Sequence, residues 1–171
     1  MYRITQVLSV GPFATLERVG PLRAAGVTHV LNVADTPSLI TATEQGFREV
    51  VWSPLENDSR MPLHRVIPTL DTLHRLATQP QAQVYVHCHV GHSRSPTVVW
   101  LYLIALGIPP DVARNWIEER SPVAAPGHRR LVDHEHIGLA QRHGLMNYFP
   151  HPRPELIVPA AIEGQLPARS G

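Results

Sequence analysis

Apolar and polar side chains alternate along Val27-Thr28-His29-Val30-Leu31-Asn32-Val33, several of them β-branched, and this predicts a strand. Residues 4–10 alternate well enough for an earlier strand, ended by Gly11-Pro12, and residues 47–52 for a later one. Val84-Tyr85-Val86 is apolar throughout, as in a strand buried on both faces of a parallel sheet. Between these runs the period changes. Residues 15–25 carry Leu16, Val19 and Leu22 at near-helical spacing, with Pro21 interrupting the helix and Gly26 placed to stop it. Residues 62–78 put Val66, Ile67, Leu70, Leu73, Leu76 and Ala77 on one helical face. Ser95 is placed to cap a helix with Pro96 at its first position, running to Leu106 before Gly107-Ile108-Pro109-Pro110. Further helices are predicted over 111–119 and 129–143, and a polar loop over 36–46.

Strands alternating with helices predict an α/β fold, a central and mostly parallel sheet of four or five strands flanked by helices on both faces. From Tyr148 onward five prolines fall within 24 residues and no period is sustained. The chain is therefore expected to divide into a folded domain, 1–147, and a Pro-rich extended C-terminal tail, 148–171.

Composition narrows the partners more than the fold. Fifteen basic and 14 acidic residues leave a formal charge of +1, with 11 histidines besides, too little for a nucleic-acid or general membrane-binding surface. The longest apolar run, residues 98–106, is far too short for a membrane span, and Met1-Tyr2-Arg3-Ile4-Thr5-Gln6 lacks the apolar core of a signal peptide. Cys88 is the single cysteine, so no internal disulfide forms and a reducing compartment is expected. These features describe a soluble, cytoplasmic protein, a monomer by default.

The candidate chemistry sits between the apolar strand and the most hydrophobic helix, in Val86-His87-Cys88-His89-Val90-Gly91-His92-Ser93-Arg94-Ser95-Pro96-Thr97. A thiolate is a strong nucleophile, and three settings favour it over the thiol: oriented backbone N–H groups, a helix N-terminus and a fixed guanidinium. The same three features bind a dianion, the amides and helix end cradling phosphate while arginine grips two oxygens. The five residues between Cys88 and Arg94 suffice to ring one tetrahedral anion, with Gly91 where the loop turns most sharply. Strand, loop and helix in that order put the site at the carboxyl end of a strand, where open α/β sheets bind ligands.

His87-Cys88-x5-Arg94-Ser95, with Gly91 and Ser93-Arg94-Ser95-Pro96-Thr97, resembles the signature of the cysteine-based protein tyrosine phosphatases, and within them the dual-specificity branch. Leu8-x-Val10-Gly11, the strand from Val27 to Val33, the turn at Asp58 and Arg120-Ser121-Pro122 resemble that family in the same order, over about residues 3 to 145. The resemblance implies the protein tyrosine phosphatase-like fold and a two-step hydrolysis without metal or organic cofactor. Cys88 would attack phosphorus to form a phosphocysteine. Arg94 and the loop formed by His89, Val90, Gly91, His92 and Ser93 would bind the phosphate. Ser95 would hydrogen-bond the thiolate, and His87 would orient the loop. The general acid of the family is an aspartate on a mobile loop some thirty residues before the cysteine. Asp58 lies 88 − 58 = 30 positions upstream, with Glu56 close enough to substitute and Asp71 inside a predicted helix.

Bland readings compete. A lone buried cysteine is ordinarily an inert core residue, but not with Gly91, Arg94 and Ser95 at these spacings. His87, His89 and His92 around a cysteine suggest a metal site, yet metal on Cys88 would block the phosphate. Arg120, Arg129 and Arg130 are candidate substrate contacts, although surface arginines are common. The expected partner is a phosphorylated protein, bearing phosphotyrosine and with it phosphoserine or phosphothreonine. His89 and His92 stand where family members acting on phosphoinositides carry lysines, which keeps a phosphoinositide, a phosphoglucan or an RNA 5′ phosphate open. A phosphoprotein-binding module without turnover is the alternative from another class.

Overall fold

The computed structural model describes residues 1–162. Its five strands form one sheet in the order β1 (Tyr2–Arg3), β2 (Leu8–Gly11), β5 (Val84–His87), β3 (His29–Asn32) and β4 (Glu49–Trp52). Only β1 runs antiparallel to its neighbour. The central strand β5 pairs on both sides, with Leu8, Val84 and His29 level at one end and Gly11, His87 and Asn32 level at the other. Side chains alternate across it as the pleat requires. Val84 and Val86 enter the large core, and Tyr85 enters a smaller one on the opposite face with Leu22, Val27, Val30 and Phe47.

The helices are α1 (Leu16–Ala24), α2 (Ala42–Gln45), α3 (Leu63–Ala77), α4 (Arg94–Ala105), α5 (Pro110–Arg120) and α6 (His134–Asn147). Every residue of α4 is buried, which accounts for a helix that is apolar all round. It packs against α3, α5 and α6, and α6 comes so close at Gly144 that a Cβ there would lie 1.8 Å from the Ala105 carbonyl oxygen. Trp100 and Tyr102 are core residues of this layer. Helices therefore cover both faces of the sheet, as expected.

Local chemistry moves several boundaries. Residues 4–10 are not one strand, because the Thr5 hydroxyl accepts from the amides of Val7 and Leu8 (3.2 and 3.1 Å) and turns the chain between β1 and β2. Pro21 lies inside α1 without ending it. The predicted polar loop contains α2, whose first turn is capped by the Thr41 hydroxyl accepting from Glu44 N–H at 3.3 Å. The last helix begins at His134 instead of 129, since Asp133 caps it and residues 128–132 form turns. Ser95 is not the cap of α4: the helix starts at Arg94, with Ser93 at the capping position and Pro96 already in the first turn.

The stretch expected as an extended tail follows the surface of the domain up to residue 162. Arg153 donates to the carbonyls of Ala77, Gln79 and Ala82, Leu156 is fully buried, and Thr5 and Pro159 form an antiparallel bridge. The remainder of that stretch, 163–171, lies outside the described residues. Among the described residues no helix is long and apolar enough to cross a membrane.

Candidate active site

Cys88 is the first residue past β5, at the carboxyl end of the sheet, and only 2% of it is exposed. The loop it opens turns at Gly91, whose φ of 75° is costly for any residue with a Cβ. A Cβ there would also sit 2.7 Å from the backbone of Gly11 at the end of β2. Two further backbone bonds fix the loop: Phe13 N–H to His89 C=O at 2.9 Å, and Ala125 N–H to His92 C=O at 2.7 Å. The loop then enters α4, so the free amides of the helix N-terminus lie beside the thiol. Ser95, turned inward from the first turn, has its Oγ 3.3 Å from Cys88 Sγ.

Arg94 is 3% exposed although it carries a guanidinium. One nitrogen, Nη1, donates to Asp35 Oδ1 and to the Leu55 carbonyl, both at 2.9 Å. Among the described residues its other nitrogens have no hydrogen-bond partner. Cys88, His89, Val90, Ser93, Arg94, Asp35 and Asn57 together line a cleft of about 220 Å³. It is a concave site with a thiol and a buried cation, which is what a small phosphorylated group requires.

Asp35 and Asn57 were not among the residues singled out from the sequence. Asp35 follows Asn32-Val33-Ala34 at the carboxyl end of β3, and that position was its only signal. The hydrogen bond from Arg94 holds its carboxyl below the usual carboxylate range, which makes it a poor proton donor. The expected acid, Asp58, stands exposed on the loop between β4 and α3 with a left-handed φ of 53°, and its neighbour Asn57 is the residue that reaches the cleft. Glu56 lines a separate cavity of about 250 Å³ behind the loop. Asp71 is remote from the site, accepting from His143 (2.7 Å) and from the Tyr148 hydroxyl (2.6 Å).

The three histidines around the cysteine diverge and form no ligand set. His89 lies over Phe13, ring centroids 5.5 Å apart, with Nε2 2.9 Å from the Thr36 hydroxyl and 3.2 Å from Asp35 Oδ1. The Nδ1 of His92 meets the Val123 carbonyl. Arg120, a candidate substrate contact, instead donates to the carbonyls of Ala160 and Trp116.

His87 is buried beneath the loop, Nδ1 3.2 Å from the Cys88 carbonyl, and burial pushes its pKa down to about 4. It is neutral at pH 7. The unfolded chain takes up this proton as pH falls below the ordinary 6.5, whereas the folded chain resists until about 4. Stability from this group is therefore complete above 6.5 and is lost progressively down to about 4. At about 1.4 kcal/mol per unit, the expected loss is about 3 kcal/mol. His29 and His74, also lowered by burial, act in the same direction. Urea unfolding at pH 7 and pH 4.5 checks this, and His87→Gln should flatten the dependence.

The family model described as dual specificity phosphatase, catalytic domain, matches residues 10–130, the span from β2 past the loop of Cys88 to the turns before α6. The chain belongs to the dual specificity phosphatase family. Mouse dual specificity protein phosphatase 14 is 30% identical over 138 residues, covering 78% of this chain and 68% of that protein. Dual specificity protein phosphatase 1 of Arabidopsis thaliana is 32% identical over 127 residues, covering 72% of this chain and 61% of its own length. Among solved structures, PTPMT1 in complex with PI(5)P superposes with a TM-score of 0.69 over 85% of this chain and 96% of that one, at 17% identity. The active form of Tk-PTP gives 0.66 over 81% and 94%, also at 17%. These two share the fold.

Proposed function

We propose that this dual specificity phosphatase domain hydrolyses phosphomonoesters on protein side chains through a phosphocysteine on Cys88. The observation that carries the reading is Cys88 Sγ in the cleft, 3.3 Å from the Ser95 hydroxyl and ringed by the loop that ends in the buried Arg94. In the first step the thiolate attacks phosphorus, the S–P bond forms, the P–O bond to the leaving group breaks, and Asp58 gives that oxygen its proton. In the second, Asp58 takes a proton from water as the water attacks phosphorus, and the S–P bond breaks to release phosphate. The loop amides and Arg94 hold the non-bridging oxygens in both steps. The Ser95 hydroxyl donates to the sulfur as it leaves. His87, buried and neutral, supports the loop from beneath.

A protein substrate is favoured by what stands at the rim. His89 is paired with Asp35 and Thr36, and His92 with a backbone carbonyl, so neither presents a free cation to a second phosphate. The Asp35 carboxylate adds negative charge where a multiply phosphorylated lipid headgroup would need positive. The single cysteine supports a cytoplasmic setting, and the protein is taken as a monomer.

The test is a panel of phosphotyrosine and phosphothreonine peptides, a phosphoinositide in vesicles, a phosphoglucan and a 5′-phosphorylated RNA. Phosphopeptides are expected to give the highest kcat/KM, with inhibition by vanadate. Preference for the vesicles would move the function to lipid, and binding of phosphopeptides without turnover of any substrate would leave a binding module.

A further inference from the structure

The loop that carries Asp58 is tied down at its two ends and nowhere between. At one end Leu55 N–H donates to the Val33 carbonyl (3.2 Å) and the Leu55 carbonyl accepts from Arg94. At the other, Met61 N–H donates to the Leu131 carbonyl at 2.7 Å, and the Met61 carbonyl lies 2.7 Å from Nε2 of His136. Residues 56–59 hydrogen-bond to none of the described residues. Beneath them lies the cavity of about 250 Å³ lined by Leu55, Met61, Val98, Leu131 and Val132, so no packed core supports the middle of the loop. Its course is set by its ends.

The second end is anchored with unusual thoroughness. His136 is fully buried in the first turn of α6. Its Nδ1 lies 3.1 Å from both the backbone N–H and Oδ1 of Asp133, and its Nε2, which faces a carbonyl, donates to Met61. Asp133 caps the helix by accepting from Glu135 N–H at 3.0 Å, and its Oδ2 receives Nε and Nη2 of Arg60 at 3.0 and 2.9 Å. That pair from Arg60 holds the Asp133 carboxyl far below the usual carboxylate range. Arg60 stands two residues from Asp58. A single helix N-terminus thus grips Arg60 by a side chain and Met61 by its backbone.

We propose that the N-terminus of α6 is the anchor that sets where the acid loop stands over the cleft, with Arg60, Asp133 and His136 as positioning residues for proton transfer. The inference rests on Asp58 as the general acid. None of the three side chains lines the cleft that holds Cys88, and none hydrogen-bonds to Cys88 or Arg94, although Arg60 shares the cavity of about 250 Å³ with Arg94; loosening them therefore acts on the acid loop first.

Arg60→Met and Asp133→Ser separate anchor from stability, since Arg60 is at the surface and serine remains a good helix cap. With a poor, alkyl leaving group each is expected to lower kcat about 10-fold, less than the roughly 10²–10⁴ that a general acid contributes. With a strongly electron-withdrawn aryl leaving group the first-turnover burst of aryl oxide, which needs no proton from Asp58, should keep its rate, and substrate affinity should hold for both. The double variant should lose no more than either single one. For the buried residue, His136→Gln, which keeps a donor for the Met61 carbonyl, should retain more of the alkyl activity than His136→Ala. Asp58→Asn, run beside them, distinguishes the two failures. If it shows no dependence on leaving group, the assignment of the acid is wrong. If it does, while Arg60→Met and Asp133→Ser match wild type or lose equally on both substrates, the anchor is wrong.

Discussion

Cys88→Ser is expected to abolish turnover, by on the order of 10⁶-fold, the scale of loss when a hydrolase is deprived of its nucleophile. A hydroxyl at the same place is a far weaker nucleophile at neutral pH. The surroundings remain: Arg94 keeps Leu55 and Asp35, Gly91 keeps its turn, and a serine hydroxyl at position 88 still has Ser95 as partner. Phosphopeptide binding should therefore survive, so that the variant retains its substrate without consuming it. Rates measured beside calorimetric binding give the check. Turnover near the wild-type rate would mean that hydrolysis arises from another group.

The second large effect is expected from Asp58→Asn, and it depends on the substrate. An alkoxide leaves badly unless it receives a proton as the P–O bond breaks, so kcat on alkyl phosphates should fall roughly 10²- to 10⁴-fold. A strongly electron-withdrawn aryl oxide leaves without help, and its release in the first turnover, before Asp58 is needed to activate water, should change less than about tenfold. Asp58 is exposed, and asparagine is among the residues that tolerate its left-handed backbone, so stability should be preserved. If Glu56→Gln gives this pattern instead, the acid is Glu56. If Asp35→Asn gives it, the acid is the carboxylate already in the cleft, despite the cation that holds it ionised.

The order of elements and the loop between β5 and α4 were legible in the sequence because each depends on local pattern. An apolar run feeding Cys88-x5-Arg94, followed by a helix apolar on every side, predicts the central strand, the loop and its helix. What escaped depends on contacts between distant segments. Asp35 reads as an ordinary loop residue until β3 and β5 are laid side by side and Arg94 reaches across 59 positions to it. His89 and His92 read as rim residues standing where phosphoinositide-acting members carry lysines, yet each is bonded to a neighbour from another segment, Asp35 and Val123. The start of α6 was misplaced because its reciprocal cap pairs Asp133 with His136, where the common pattern ends in glutamate or glutamine. Ser95 was misplaced only as the cap, because serine before proline is a strong cap signal; its hydroxyl lies 3.3 Å from the thiol, the contact that the family resemblance implied.

The strand that delivers Cys88 is the middle one of the sheet, with two strands on each side, both neighbours parallel to it and all four of its residues buried. Local opening frees strands at the rim of a sheet long before those in the middle. Fraying of β1 or β4 leaves the cysteine and its loop in register, whereas releasing β5 dissolves both cores at once. Catalytic competence in this domain should thus rest on backbone that exchanges last, and under denaturing stress the activity and the fold should disappear in one transition.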